Sequence, residues 1–201
     1  MGELDNEETL AAAYASGNRE ALEELINRCK ADLFGYLAGI AGRRDAAEDI
    51  FQEVFIKYAM KPSLYKPKQK FRAWIFSVAR NAAIDYFRSE KRHSGISLSE
   101  ETSDEMLGFE GAAILKIGAS ESERPDRQFE NSYMGECIAK SFESLSMEQK
   151  EIFYLRHYSG LSFKEISELT GEPIGTVLAR MSRTLSILRS KLAEYGIKDI
   201  S

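Results

Sequence analysis

"GLSFKEISELTGEPIGTVLARMSRTLSILR" spans residues 160–189, and its reading decides the fold. Ser162 precedes Glu165 by three residues, the spacing at which a hydroxyl and a carboxylate cap one helix start reciprocally. Gly171 is a natural stop, because glycine takes the left-handed conformation that closes helices. Pro173 and Gly175 then open a second, longer helical stretch that runs past Arg189. A short helix, a turn of three or four residues and a longer helix form a helix-turn-helix. Side chains at the start of such a second helix reach base edges, and cations further along hold phosphates. Thr176, Arg180, Arg183 and Arg189 are placed for those tasks. The same spacing also occurs in bundles that bind nothing, so the motif alone leaves that alternative open.

Outward from this motif the helical signals continue. Upstream, "SMEQKEIFYLRHYSG" offers Ser146 with Gln149 three residues on, and Gly160 as the stop. Ile138, Phe142 and Leu145 mark a preceding helix, and the unit begins near Phe129. In the N-terminal part, Leu22, Leu25, Ile26, Cys29, Leu33 and Leu37 follow the i, i+3, i+4, i+7 pattern of an amphipathic helix. Ser16-Gly17-Asn18 breaks the stretch before it and Gly42 ends it. Asp45, with Glu48 three residues on, reads as the cap of the next helix, whose stripe is Ile50, Val54 and Tyr58 beside Phe51 and Phe55. No segment alternates with the period of a strand. The expected fold is therefore all-α, with two small helical domains, residues 1–92 and 129–201, joined by a flexible acidic linker over 93–128. That linker is rich in Ser, Glu and Gly and is too long for an ordinary loop within one domain.

Charge is distributed unevenly. The chain carries −5 overall, but residues 57–92 carry 10 basic and 2 acidic groups. The flanking blocks are acidic, net −7 over 1–56 and −6 over 93–130, and residues 131–201 are neutral. A compact basic block between acidic ones is the footprint of a site for a polyanion. The N-terminus lacks the basic and apolar regions of a signal peptide, and no apolar run reaches membrane-spanning length, so a cytoplasmic protein is expected. Cys29 and Cys137 have no CxxC neighbour, which favours two free thiols over a disulfide, and the two histidines lie far apart.

The basic block holds "FRAWIFSVARNAAIDYFRSEKR", residues 71–92. At about 100° per residue, Asn81, Asp85 and Arg88 fall within roughly 40° of Trp74. Ile75, Val78, Ala79 and Ala82 can pack behind them. Unstacked bases call for aromatic planes, an amide for a base edge and cations for phosphates, and this face with its basic loop "PSLYKPKQK" offers all three. The plain alternative makes Trp74 core and pairs Asp85 with Arg88.

The stretches "DAAEDIFQEVFIK", "FRAWIFSVARNAAIDYFR" and "GLSFKEISELTGEPIGTVLARMSRTLSILR" resemble, in sequence, order and spacing, bacterial RNA polymerase sigma factors of the extracytoplasmic-function group. The resemblance implies a transcription initiation factor that binds core RNA polymerase and directs it to specific promoters. It implies that Asp49, Gln52, Glu53, Phe55 and Ile56 grip the β′ clamp helices, with a further contact to the β subunit. It implies that Tyr65, Lys66, Lys68, Lys70, Arg72, Trp74, Arg80, Asn81 and Arg88 recognise and melt the −10 element, Tyr65 and Asn81 forming the pocket for a flipped base. Arg156, Thr176, Arg180 and Arg183 match the reader of the −35 element. The acidic linker matches a segment threaded through the polymerase. An anti-sigma protein is the expected regulatory partner. One departure stands out: where the family reads V-K/R-S-R, this chain has Val177-Leu178-Ala179-Arg180, which removes a cation and a hydroxyl from the DNA side, and Ser182 stands where an aromatic can occur.

Two other readings explain less. A duplex-DNA regulator would use residues 162–192 alone and leave the upstream basic block without a task. A sigma-like protein that sequesters regulators would carry the motifs without melting promoters. An enzyme fits poorly: the sequence has no phosphate loop, metal-ligand spacing or nucleophile set. Neither cofactor, metal nor small-molecule substrate is expected.

Overall fold

The computed structural model describes residues 6–93 and 125–197, and every regular element among them is a helix. The first group comprises α1 (Glu7–Ala15), α2 (Glu20–Ala41), α3 (Arg44–Met60), a 3-10 turn (Pro62–Leu64) and α4 (Phe71–His93). The second comprises α5 (Pro125–Glu143), α6 (Met147–Tyr154), a π-helical turn (Leu155–Ser159), α7 (Phe163–Thr170) and α8 (Ile174–Glu194).

Local chemistry sets most of the ends. Asn6 accepts the Thr9 N–H at 2.7 Å and starts α1. Gly42 takes φ +68° and closes α2, donating its N–H to the Ala38 carbonyl at 3.0 Å. Ser146 with Gln149, and Ser162 with Glu165, form complete capping boxes at the starts of α6 and α7. Gly171 ends α7 in the left-handed conformation and leaves a three-residue turn before Ile174, so the helix-turn-helix is present. Two ends differ from expectation. The cap of α3 is Arg43, whose side chain makes no capping bond, and Asp45 lies inside the first turn. The reason is backbone: Arg43 holds the extended conformation that the cap position requires. Likewise α5 begins at Pro125 rather than near Phe129. Of the expected linker, 94–124 lies outside the described residues, and 125–128 already belong to α5.

In the first group α2 is the central helix, with α1, α3 and α4 packed around it. Tyr36, Tyr58, Phe71 and Phe76 are among its largest buried side chains. Phe71 and Phe76 each stabilise the fold by about 1.5–3 kcal/mol relative to exposure. The buried Tyr36 and Tyr58 hydroxyls have no hydrogen-bond partner among the described residues, which offsets part of the gain from their rings. In the second group α5, α6 and α7 all contact α8, and Ile152, Leu155, Ile166, Val177 and Leu188 are buried in its core. Cys29 and Cys137 are free and buried, and burial pushes the Cys29 thiol up to about 12.

The two groups also pack on each other, against the expectation of independent domains. Helix α2 contacts α6 and the π turn, and α4 contacts α7 and the π turn, so one buried cluster runs through both. The cause is two glycines on one face of α2. A Cβ on Gly35 would lie 2.4 Å from the Tyr158 ring, and one on Gly39 would lie 2.8 Å from the Tyr154 ring. Only hydrogen in those places lets the rings rest on the α2 backbone.

Candidate nucleic-acid and polymerase interface

Helix α4 is anchored from its N-terminal end. The Glu8 carboxylate accepts the Phe71 N–H at 2.9 Å, so α1 caps α4 from outside. Along α4, Phe71, Ile75, Ala79, Ala82 and Ala83 are buried, whereas Asn81, Asp85 and Arg88 are exposed. The structure thus brings Asn81 and Arg88 together on one open face, with half-buried Trp74 at its start. Trp74 belongs to an aromatic nest: its ring centroid is 5.3 Å from Tyr58, 5.6 Å from Tyr65 and 5.6 Å from Phe71.

The loop before α4 is pinned to this nest by Tyr65. Its hydroxyl donates to the Gln69 carbonyl at 2.8 Å and its ring meets Phe71 edge-on. At 7% exposure Tyr65 has no free face for a base in this conformation, which corrects the expectation of an open stacking platform. Burial raises its pKa. Lys66, Lys68 and Lys70 project from the same loop and are exposed.

Three cations of the expected −10 set have protein partners. Arg72 points away from the Asn81 face. It holds Asp32 at 2.6 Å and Glu7 at 2.8 Å, and its Nη1 approaches the Tyr158 carbonyl at 3.5 Å. Burial works against its charge, but the hydrogen bonds to Glu7 and Asp32 prevail and raise its pKa. Arg72 is therefore a clamp among α1, α2 and α4, not a free DNA contact. Arg80 grips Glu151 of α6 with Nε at 2.7 Å and Nη2 at 3.4 Å. Burial again opposes its charge, and the bond to Glu151 raises its pKa above the ordinary value. Lys70 pairs with Glu165 of α7 at 2.8 Å, and that bond raises the lysine's pKa.

On α3, Asp49, Gln52, Glu53 and Ile56 share the outward face and are all exposed, Ile56 by 56%. Phe55 does not join them. It is 6% exposed and packs on Phe51 at 4.9 Å, so its area supports the helix from beneath, a second correction. Neighbouring Glu53 pairs with Lys57 one turn on.

In the helix-turn-helix, Thr176 and Arg183 are exposed on α8. Arg180 is not free: Glu172 in the turn receives both hydrogen bonds of its Nη1 at 2.6 Å. Arg156 donates to the Leu161 carbonyl at 2.9 Å and lies over the Phe163 ring, which ties the π turn to α7. The exposed start of α8 is strongly apolar, with Ile174 and Leu178 each more than two-fifths exposed. What the residue-type reading passes over is the set facing the cations and the glycines: Glu7, Asp32, Glu151, Glu165, Tyr154 and Tyr158. The available signal was a shared four-residue step, Gly35 to Gly39 on α2 and Tyr154 to Tyr158 on the partner segment.

Comparison with known proteins follows the same division. Residues 25–93 match the Sigma-70 region 2 family model, and residues 135–188 match the Sigma-70 region 4 model. The ECF RNA polymerase sigma-E factor of Haemophilus influenzae is 24% identical over 194 residues, covering 96% of this chain and 98% of that protein. The ECF RNA polymerase sigma factor SigW of Bacillus subtilis is 24% identical over 178 residues, covering 89% and 92%. Among solved structures, CnrH in complex with the cytosolic domain of CnrY superposes with a TM-score of 0.63 at 20% identity, over 94% of this chain and 99% of that one. The sigma factor RpoE of Bartonella quintana, in complex with the anti-sigma factor NepR, gives 0.61 at 20% identity, over 85% and 96%.

Proposed function

The chain belongs to the extracytoplasmic-function group of the sigma-70 family, bacterial transcription initiation factors, and from that premise we propose how its surfaces divide the work. The outward face of α3, with Asp49, Gln52, Glu53 and Ile56, binds core RNA polymerase at the β′ clamp helices. The loop carrying Lys66, Lys68 and Lys70, with the Asn81 and Arg88 face of α4, captures the opened strand of the −10 element. Thr176 in the first turn of α8 and Arg183 two turns further along the same face meet the −35 element in the major groove. The β subunit is a second polymerase contact. The bond-making chemistry belongs to the polymerase, and this chain contributes binding energy that is spent on unstacking bases, a few kcal/mol each.

The observation that carries this reading is the α4 face. Asn81, Asp85 and Arg88 stand exposed beside an aromatic nest and a lysine loop, and packing the core requires none of the three. An amide beside cations suits a single strand. A cytoplasmic setting follows from polymerase as partner, and no helix among the described residues is long and apolar enough to cross a membrane. Both solved structures named above are complexes with a second protein, in one of them an anti-sigma factor, which supports a protein antagonist for this chain too.

The test is a pull-down with core polymerase followed by transcription from a random promoter pool. Asp49→Lys with Glu53→Lys reverses charge on an exposed face and costs the fold only tenths of a kcal/mol per pair. Holoenzyme should fail to form while the helical circular dichroism stays unchanged. Undiminished capture of polymerase by this variant overturns the assignment of α3.

A further inference from the structure

We infer that the −35 element is read in part through the C5-methyl group of thymine, and that Leu178, with Ala179 beside it, is the reader. The inference rests on the proposed function, which lays α8 in the major groove, and it adds what the helix recognises there.

Three observations converge on it. The first is the shape of α8. Its buried line runs through Val177, Thr184 and Leu188. At about 100° per residue, Gly175, Ala179, Ser182 and Ser186 fall within roughly 40° of the opposite direction. None of these four is long enough to hold the helix away from a groove floor. Thr176 and Arg183 stand on one edge of this outer surface, about 60–80° from its centre. Leu178 stands on the other edge, about 80° from the centre. Ile174 and Leu185 extend that second edge towards either end of the helix. The helix therefore offers a groove one polar edge and one apolar edge.

The second is exposure. Leu178 is 44% exposed, Ile174 47% and Leu185 42%, three of the eight exposed large apolar side chains among the described residues. The core of the second group is filled by Ile152, Leu155, Ile166, Val177 and Leu188, so packing does not require these three. Leu178 is the fifth residue of α8, within the N-terminal part that reaches base edges in a helix-turn-helix. Leu185 lies two turns further on and is assigned to no base.

The third is the shortage of competing chemistry. Arg180 donates from Nη1 to both carboxylate oxygens of Glu172 at 2.6 Å, and Arg156 is engaged by the Leu161 carbonyl. Residues 131–201 are electrically neutral as a whole. Phosphate contacts carry no sequence information directly, and here they also supply little attraction. Sequence must be read at base edges. In the major groove the base pairs offer hydrogen-bonding atoms and a single apolar group, the thymine C5-methyl. The Leu178 side chain has no polar atom, so that methyl is the base feature it can favour. A lysine or arginine in its place would seek a phosphate or a guanine instead.

The test uses holoenzyme and a promoter enriched from the random pool. Each −35 thymine, on both strands, is replaced in turn by deoxyuridine, which deletes the methyl and keeps every hydrogen-bonding group. Filter binding should show a loss of about four-fold at one or two of these positions, the value of one buried methyl. Cytosine at such a position should weaken binding, and 5-methylcytosine should restore part of it. In Leu178→Ala holoenzyme the deoxyuridine loss should vanish at that position, while the melting temperature of the free protein holds. Thr176→Ala should leave the methyl effect in place. Leu178→Lys should exchange it for a salt dependence steeper by about 0.9 in log K against log salt. Equal binding of thymine and uracil at every −35 position overturns the inference. An undiminished methyl effect in Leu178→Ala, or an enriched −35 element without thymine on either strand, does the same. If Leu178→Ala leaves promoter binding unchanged, the apolar edge belongs to a protein partner and the inference falls. Failure of the underlying reading looks different: wild-type holoenzyme would enrich no promoter from the pool.

Discussion

Asn81 and Tyr65 were expected to share a role, yet their surroundings make them answer to different measurements. Asn81 is exposed, so Asn81→Ala should leave the melting temperature alone, within about 0.5 kcal/mol. It should lose base preference at one −10 position and weaken open-strand binding about ten- to a hundred-fold. Tyr65 is buried in the aromatic nest of the first helical group, so Tyr65→Ala should cost about 3 kcal/mol. Tyr65→Phe should cost about 1 kcal/mol, the value of its bond to Gln69. Thermal melts of the three variants, set beside strand binding, separate capture from support. Arg72 is a plainer case. Arg72→Ala strands Glu7 and Asp32 and should lower stability by about 2–3 kcal/mol in urea titration. Arg72→Lys should recover little, because an ammonium lacks the fork that reaches both carboxylates. Counting at 100° per residue already puts Arg72 about 160° round the helix from Trp74 and Arg80 about 120°. Their removal from the Asn81 face was thus legible in the sequence. Their partners were not, because Glu7, Asp32 and Glu151 lie between 40 and 71 positions away along the chain.

Helix ends show where sequence reading works and where it stops. Ser146, Ser162, Gly42, Gly160 and Gly171 act within a few residues of themselves, and each was readable as a cap or a stop. The start of α3 was not readable, because Arg43 fills the cap position through backbone conformation alone. The α7 cap has a second duty that no local rule conveys. Glu165 accepts from Ser162 and also pairs with Lys70 on the other helical group. Together these hold its carboxyl down to about 2, first through the hydrogen bond from Lys70 and then through Ser162. A depressed carboxyl pKa means that the unfolded chain takes up the proton first as pH falls. The stabilisation is therefore whole above the ordinary value of 4.5 and is lost between there and about 2. Carbon chemical shifts of the Glu165 side chain should follow that window. Lys70→Ala should raise the midpoint, and Ser162→Ala should raise it while costing about 1 kcal/mol of helix stability.

Across the described residues, the continuous buried cluster makes the two helical groups one cooperative unit. Calorimetry of the free protein should show a single transition. Gly39→Leu, which seals the Tyr154 socket, should split it into two. Two persistent transitions in the wild type would mean that the junction adds nothing to either group. The all-α class and the helix-turn-helix were legible because periodicity and caps are local properties. The docking was not, since glycine in a helix reads as a weak point until a ring is seen resting on it. The π-helical turn at Leu155–Ser159 makes this docking depend on chain length as well as on side chains. Such a turn is an α-helix with one residue inserted. It begins directly after Tyr154 and contains Tyr158, so it sets the angle at which the second ring leaves the helix. Loss of one residue within 155–157 would restore the ordinary turn and change both the angle and the rise between the two tyrosine rings. A change of one residue in the length of this turn therefore acts on the docking of the two helical groups while leaving Asn81, Arg88 and the outward face of α3 as they are.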